Sequence, residues 1–323
     1  MKALLAAAGS LLLIILTRIR IALPARWAGW MGTAVAWLAM RVVPSRRKVA
    51  TRNLVRAFGR ERSGAEIDRI LQQCYRNLVL GYSDMLTLFR NPSTELLGRT
   101  AVRGQEHLEK ALAAGKGVIG ISAHYGAFPA LGALMPALGR RFSFLYRRPK
   151  DARTAALFDD WLGRAGCGVI EDSPRHLAGI RCLKALGGGD IVCILIDQHF
   201  PAGVQVPFFG HPARTGLGAA MLALRSGAPL LPLKVRILPG DRYELAFEEP
   251  VEGPAGRDRE DLVAVMARLT ARVEAWIRED PAQWFWVHRR WKELDAAEDA
   301  GFGSDAGSPS GGAGGPATPG QTP

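Results

Sequence analysis

The chain has 323 residues, 48% of them hydrophobic and 22% charged, with a formal net charge of +12. That length and apolar content support one large domain or two small ones with a buried core, and they exclude a disordered, fibrous or disulfide-stapled chain. Eleven Lys and Arg residues occupy positions 1 to 60 and the first acidic residue is Glu61, so a nearly neutral body follows a basic, apolar leader, which suits an anionic membrane surface and not nucleic acid.

The leader runs uncharged from Ala3 to Leu16, meets Arg18, Arg20, Pro24 and Arg26, and resumes from Trp27 to Met40 with Trp27, Trp30 and Trp37. Neither stretch reaches the ~20 apolar residues of a clean membrane span. A marginal span and an interfacial segment with tryptophans at headgroup level both remain open. A cleaved signal peptide is the rival reading; no small-x-small cleavage site follows at once, and the basic run after the apolar segment favours retention on the cytoplasmic side. Residues 1–44 are therefore expected to be a membrane-associated leader.

From Ser45 to about Arg90 the apolar residues Val49, Leu54, Val55 and Phe58, then Ile67, Ile70, Leu71, Tyr75, Leu78 and Leu80, recur at helical spacing, and Asn91-Pro92 closes the section. Short apolar runs then alternate with helical stretches. Gly117 to Ser122, Phe142 to Tyr146, Gly168 to Glu171, Ile191 to Ile196, Leu230 to Arg236 and Tyr243 to Phe247 read as strands. Between them Glu106 to Ala114, Ala130 to Leu138, Ala152 to Arg164, Arg175 to Leu186 and Gly216 to Ser226 read as helices, and Asp261 to Ile277 as a last amphipathic one. This alternation predicts an α/β domain over 45–295, with a central, mainly parallel sheet flanked by helices. Residues 296–323 are expected to be a disordered tail, since Gly303 to Pro323 is almost entirely Gly, Pro, Ser, Ala and Thr. The cysteines Cys74, Cys167, Cys182 and Cys193 show no CxxC spacing and read as reduced packing residues.

In open α/β sheets the chemistry gathers at the carboxyl ends of strands. Ser122-Ala123-His124-Tyr125-Gly126 follows one buried run, and its histidine suits a general base near neutral pH; a loop histidine satisfied by backbone is the plainer alternative. Tyr146-Arg147-Arg148-Pro149-Lys150 follows another, with arginine forks that suit phosphate or a solvated charge cluster. Asp197-Gln198 ends Ile191 to Ile196, ahead of Pro207-Phe208-Phe209-Gly210-His211-Pro212-Ala213-Arg214-Thr215, which reads as an aromatic turn. Trp284 to Lys292 mixes aromatic and cationic side chains, as a lipid-headgroup interface or a tryptophan-packed segment would.

In order and spacing these blocks, with Arg52-Asn53-Leu54 ahead of them, resemble the lysophospholipid acyltransferase superfamily and, within it, the lipid A biosynthesis (lauroyl/myristoyl) late acyltransferases, from about Leu23 to Lys292. The resemblance implies a glycerolphosphate-acyltransferase-like fold. It also implies an enzyme on the cytoplasmic side of the cell inner membrane that moves a fatty acyl chain from a thioester of acyl carrier protein or coenzyme A to a hydroxyl of a lipid A precursor or related glycolipid or lysolipid. His124 would take the acceptor proton. Arg147 and Arg148 would bind phosphate or developing charge, and Asp197 and Gln198 would contact substrate. Phe208, Phe209, Gly210, Arg214 and Thr215 would shape the acceptor and acyl groove. No cofactor beyond the thioester, no metal and no nucleic-acid partner is implied.

One position departs from the family pattern of His, four residues, then Glu or Asp: five residues after His124 stands Pro129, whose side chain cannot accept a hydrogen bond. Three explanations compete. His124 acts alone or with a backbone carbonyl or Ser122; a distant carboxylate such as Asp197 or Glu171 fills the gap; or the protein is a catalytically impaired, acyltransferase-like lipid-binding protein.

Overall fold

The computed structural model describes residues 34–304 apart from positions 36, 39, 43, 88–92, 150 and 241. The leader upstream of residue 34, the Asn91-Pro92 break and the segment 305–323 lie outside the described residues. Two helices open the body, α1 (Pro44–Phe58) and α2 (Gly64–Thr87), where helical spacing predicts them. After α3 (Ser93–Gly98), β1 (Thr100–Arg103) and α4 (Gln105–Ala113) comes the central strand β2 (Val118–Ser122). Then follow α5 (Leu131–Ala137), β3 (Phe142–Tyr146), α6 (Ala152–Arg164), β4 (Gly168–Glu171), α7 (Arg175–Gly187) and β5 (Ile191–Leu195). The hairpin β6 (Val204–Phe208) and β7 (His211–Thr215), α8 (Gly218–Ser226), β8 (Leu230–Leu238), β9 (Arg242–Phe247) and α9 (Arg259–Glu279) complete this unit.

Seven strands form one sheet in the order β1-β9-β8-β2-β5-β3-β4. Every pairing is parallel except β8 with β9, as the alternation of strands and helices requires. All five residues of β2 are buried, the mark of a parallel strand covered on both faces. Val118, Ile191, Phe144, Leu231 and Leu233 join Leu108, Leu131, Leu134 and Trp161 in one core cluster. Alternate residues, such as Ile119 and Val192, point to the opposite face, where α7 contacts β5 and α8 contacts β2.

Beyond α3 and β1, short elements that the apolar runs do not mark, two elements differ from the sequence expectation. The segment read as an aromatic turn is a two-stranded hairpin, paired from Val204↔Thr215 to Phe208↔His211. Only Phe209 and Gly210 lie between the strands, at φ 51° and 70°, the positive pair that a primed hairpin turn demands. Pro207 and Pro212 conceal it in the sequence, because proline argues against a central strand but is tolerated in an isolated ribbon. At the carboxyl end the first unit closes at Arg290 and a second begins at Trp291. That second unit carries α10 (Lys292–Ser304), which runs into the stretch expected to be disordered. Its Glu, Leu and Ala residues are good helix formers, and the Gly- and Pro-rich composition dominates only beyond it.

Candidate active site

The parallel register of β2 on β5 sets Ser122 beside Leu195. Two residues further along each chain, His124 and Asp197 leave the same sheet edge side by side. The His124 ring Nδ1 lies 2.9 Å from Asp197 Oδ1, and the His124 backbone N–H donates to Asp197 Oδ2 at 2.9 Å. The Trp284 indole N–H donates to the same Oδ2 at 2.7 Å. With only 2% of its side chain exposed, Asp197 would resist ionisation through burial. The charge of His124 and the hydrogen bonds from its ring, from Trp284 and from its backbone amide outweigh that, holding the carboxyl at about 2. An ionised, acceptor-only Asp197 fixes the proton of the neutral imidazole on Nδ1 and leaves the lone pair on Nε2.

Nε2 is the outward atom. The Gln198 amide nitrogen sits 3.0 Å from it, and with Nδ1 protonated the amide is the donor. Phe128 meets the ring edge-on with centroids 4.8 Å apart, and Phe285 lies at 5.8 Å. The His124 side chain, flanked by these two aromatic rings, keeps 18% exposure.

The loop holding His124 is fixed from below. Phe285 N–H donates to the His124 carbonyl, Gly126 N–H to the Gln283 carbonyl and Ala127 N–H to the Val235 carbonyl, at 3.0, 2.7 and 3.0 Å. Gly126 has φ +55°, and a Cβ there would fall 1.9 Å from the Val235 oxygen, so glycine alone fits both the backbone conformation and the close approach. Gln283 behaves like an added strand residue: its Oε1 accepts from the Ile237 N–H at 3.1 Å and its Nε2 donates to the Ile237 carbonyl at 3.0 Å.

Of the routes open for replacing the motif carboxylate at Pro129, Asp197 is the one realised among the described residues. Pro129 is buried in the short 3-10 turn Phe128–Ala130, where its ring suits a first turn. Glu171 is a half-exposed neighbour of Arg148, 3.8 Å away. Asp197 and Gln198, expected to contact substrate, both meet the His124 ring.

The other expected residues fall into two groups. Phe208 and Phe209 are buried and pack edge-on with each other at 4.9 Å, Phe208 also with Trp284 at 5.5 Å and Phe209 with Phe58 at 5.2 Å. They are scaffold and not an open groove wall, because the hairpin folds its aromatic end inward. Gly210 closes that hairpin. Thr215 is buried and accepts from the Arg290 guanidinium at 2.6 Å, while Arg290 also donates to the Gln198 carbonyl at 3.2 Å. Arg214 donates to the Gly203 carbonyl at 3.2 Å. Arg147 and Arg148, at the end of β3, are turned to carboxylates: Arg147 to Asp172 at 3.0 Å, and Arg148 to Asp159.

Trp284 and Trp286 are buried, which removes them from the headgroup interface suggested by composition. A tryptophan-packed segment carries the same residues, and here the indoles donate inward, Trp284 to Asp197 and Trp286 to the Pro281 carbonyl at 2.7 Å. Asn53 of α1 ties the segment down by donating to the Trp286 and His288 carbonyls at 2.8 and 2.7 Å. His288 accepts from the His199 N–H at Nε2, 3.0 Å, and burial depresses its pKa to about 4, so it stays neutral. The supporting roles of Trp284, Gln283, Asn53 and Arg290 carry no local sequence signal, since each acts across more than 40 positions of chain. The four cysteines are buried and free.

The chain matches the family described as bacterial lipid A biosynthesis acyltransferase over residues 3–293. It is 28% identical to the lipid A biosynthesis lauroyltransferase of Escherichia coli strain K12, over 83% of this chain and 92% of that one. To the lipid A biosynthesis palmitoleoyltransferase of the same strain it is 24% identical, over 86% and 95%. A phosphatidylinositol mannoside acyltransferase of Mycobacterium tuberculosis is 27% identical over 59% of each chain.

Proposed function

Because the chain belongs to the bacterial lipid A biosynthesis acyltransferase family, we propose that it transfers a fatty acyl group from an acyl thioester to a hydroxyl of a lipid A precursor or related phosphorylated glycolipid, with His124 as general base. The donor is acyl carrier protein or coenzyme A thioester, and the reaction runs on the cytoplasmic side of the inner membrane. The His124–Asp197 pair carries this reading, since it supplies the base-plus-orienter arrangement that position 129 lacks. The same pair argues against the impaired lipid-binding alternative.

The acceptor hydroxyl takes the place of the Gln198 amide at Nε2. As its oxygen bonds to the thioester carbonyl carbon, its proton passes to Nε2 and the carbonyl oxygen becomes an oxyanion. Asp197 stabilises the imidazolium that forms. When the carbon–sulfur bond breaks, the leaving sulfur takes the proton from Nε2, and the histidine returns to its starting state. Gln198, released from the ring, is then a donor within reach of the developing oxyanion. Arg147 and Arg148 serve acceptor phosphate only by exchanging Asp172 and Asp159 for it. The relatives' names span lipid A and phosphatidylinositol mannoside acceptors; their shared chemistry is a phosphorylated glycolipid hydroxyl.

The test is acyl transfer by purified full chain from a radiolabelled lauroyl thioester to a lipid A precursor in mixed micelles. Turnover is expected, and His124→Ala should lower it by roughly 10²- to 10⁴-fold with an unchanged melt. A folded wild-type protein that transfers nothing from either thioester, to this precursor or to a phosphatidylinositol mannoside, overturns the proposal.

A further inference from the structure

A second feature shares no residue with the His124 site. Helical residues Trp37, Met40 and Arg41, the start of α1 and the outer face of α2 enclose an open groove of about 810 Å³. Four arginines line it, Arg41, Arg47, Arg69 and Arg76, against a single acidic residue, Asp68. All four are exposed, and among the described residues none is held in an ion pair. This contrasts with Arg147 and Arg148, which already have carboxylate partners. Arg41 stacks on Trp37 with its guanidinium carbon 4.2 Å from the ring centroid, Gln72 adds an amide to the lining, and the Gln73 amide donates to Asn77 Oδ1 at 2.9 Å.

The neighbouring stripe of the same helix is apolar. Trp37, Leu38 and Val42 are 53%, 53% and 67% exposed. Residues 37 and 41, and 38 and 42, sit one turn apart on adjoining stripes, so exposed guanidinium groups and exposed apolar side chains share one edge. Guanidinium forks match phosphate oxygens, and an indole with aliphatic neighbours matches the boundary between headgroups and acyl chains. An acidic protein partner would use the arginines and leave the apolar stripe unexplained. A lipid surface uses both.

We propose that this groove is a binding site for the headgroup phosphate of an anionic phospholipid at the membrane surface. It is distinct from the acceptor site and sets how the body sits on the bilayer. The inference deepens the membrane placement proposed above and rests on it. Its consequence is a headgroup preference that apolar insertion of the leader alone would not produce.

The test uses full chain in neutral maltoside micelles doped with phosphatidylglycerol or phosphatidylcholine, each with brominated acyl chains, and follows quenching of tryptophan emission. Brominated phosphatidylglycerol should quench half-maximally at a mole fraction about tenfold lower than brominated phosphatidylcholine. The double variant Arg69→Glu, Arg76→Glu should lose that preference, and Arg69→Gln, Arg76→Gln should lose part of it. The control Arg181→Glu, Arg225→Glu, with the same net charge change on α7 and α8, should keep it. Equal quenching of wild type by the two lipids overturns the site while leaving micelle binding intact. So does a preference that survives the Arg69→Glu, Arg76→Glu change in a protein with a normal melt. Loss of acyl carrier protein binding in that variant, without any lipid preference in the wild type, would assign the groove to an acidic protein instead.

Discussion

The carboxyl ends of β2 and β5 and those of β3 and β4 belong to the same edge of one mainly parallel sheet, and both present charged residues. At the first, a buried carboxylate takes hydrogen bonds from an imidazole, a backbone amide and an indole, and the loop above it is bonded to Gln283 and Phe285. At the second, Arg147 and Arg148 reach exposed or half-exposed carboxylates through solvent-facing side chains. An ion-supporting pair in a dry, pre-ordered setting holds one geometry, whereas exposed ion pairs are worth ~0–1 kcal/mol and exchange partners readily. Chemistry that needs a fixed proton address therefore belongs to the first end. The second can only bind and let go.

The comparison can be broken most severely at Asp197. Asp197→Asn keeps the shape but removes the charge and the preference for the Nδ1 proton, so turnover should fall by roughly 10²- to 10⁴-fold. Adding Pro129→Glu to that variant should not restore it, because position 129 is buried in a short 3-10 turn, where a new carboxylate bears a desolvation cost. Recovery in a steady-state thioester assay would mean that position 129 still faces the histidine. Gly126→Ala tests the pinned loop. Its methyl group meets the Val235 oxygen in a left-handed backbone, and a loss of at least ~2 kcal/mol in chemical denaturation is expected.

A pH series sharpens the contrast further. His288 binds its proton in the folded state only near pH 4, whereas the unfolded side chain does so near its ordinary 6.5. The unfolded state therefore holds more protons between these values, and stability should drop as pH falls from about 6.5 to about 4, by on the order of 3 kcal/mol. Melts across that range should show the slope, and His288→Gln should flatten it. The smallest effect is expected at the exposed end: Arg147→Ala or Arg148→Ala should change the melt by less than ~1 kcal/mol and act on the acceptor KM, leaving kcat within about threefold. A fall in kcat as large as that of Asp197→Asn would place these arginines at the reacting atoms.

Much of this was legible from the amino acids. Buried β-branched runs such as Ile191 to Ile196 mark central strands, and the ordered blocks point to His124 and to acyl transfer. The hairpin escaped because prolines mask its alternation. The partner of His124 stayed one of several candidates because pattern reading follows neighbours along the chain, and the carboxylate comes from the next strand over, 73 residues later. Trp284 and Arg290 escaped for the same reason. Their composition fits a membrane face as well as an interior, and only packing distinguishes the two.

The register of Ser122 beside Leu195 has a consequence for folding. A base and orienter carried on one loop could meet in a fragment or a loosely collapsed chain. Here they meet only after β2 and β5 have paired with the correct alignment. A slip of one residue would turn Asp197 to the opposite face of the sheet. Loop closure over so many residues is among the slower steps of assembly, so catalytic competence reports completion of the sheet's centre. A half-folded chain would not yet have brought His124 and Asp197 together.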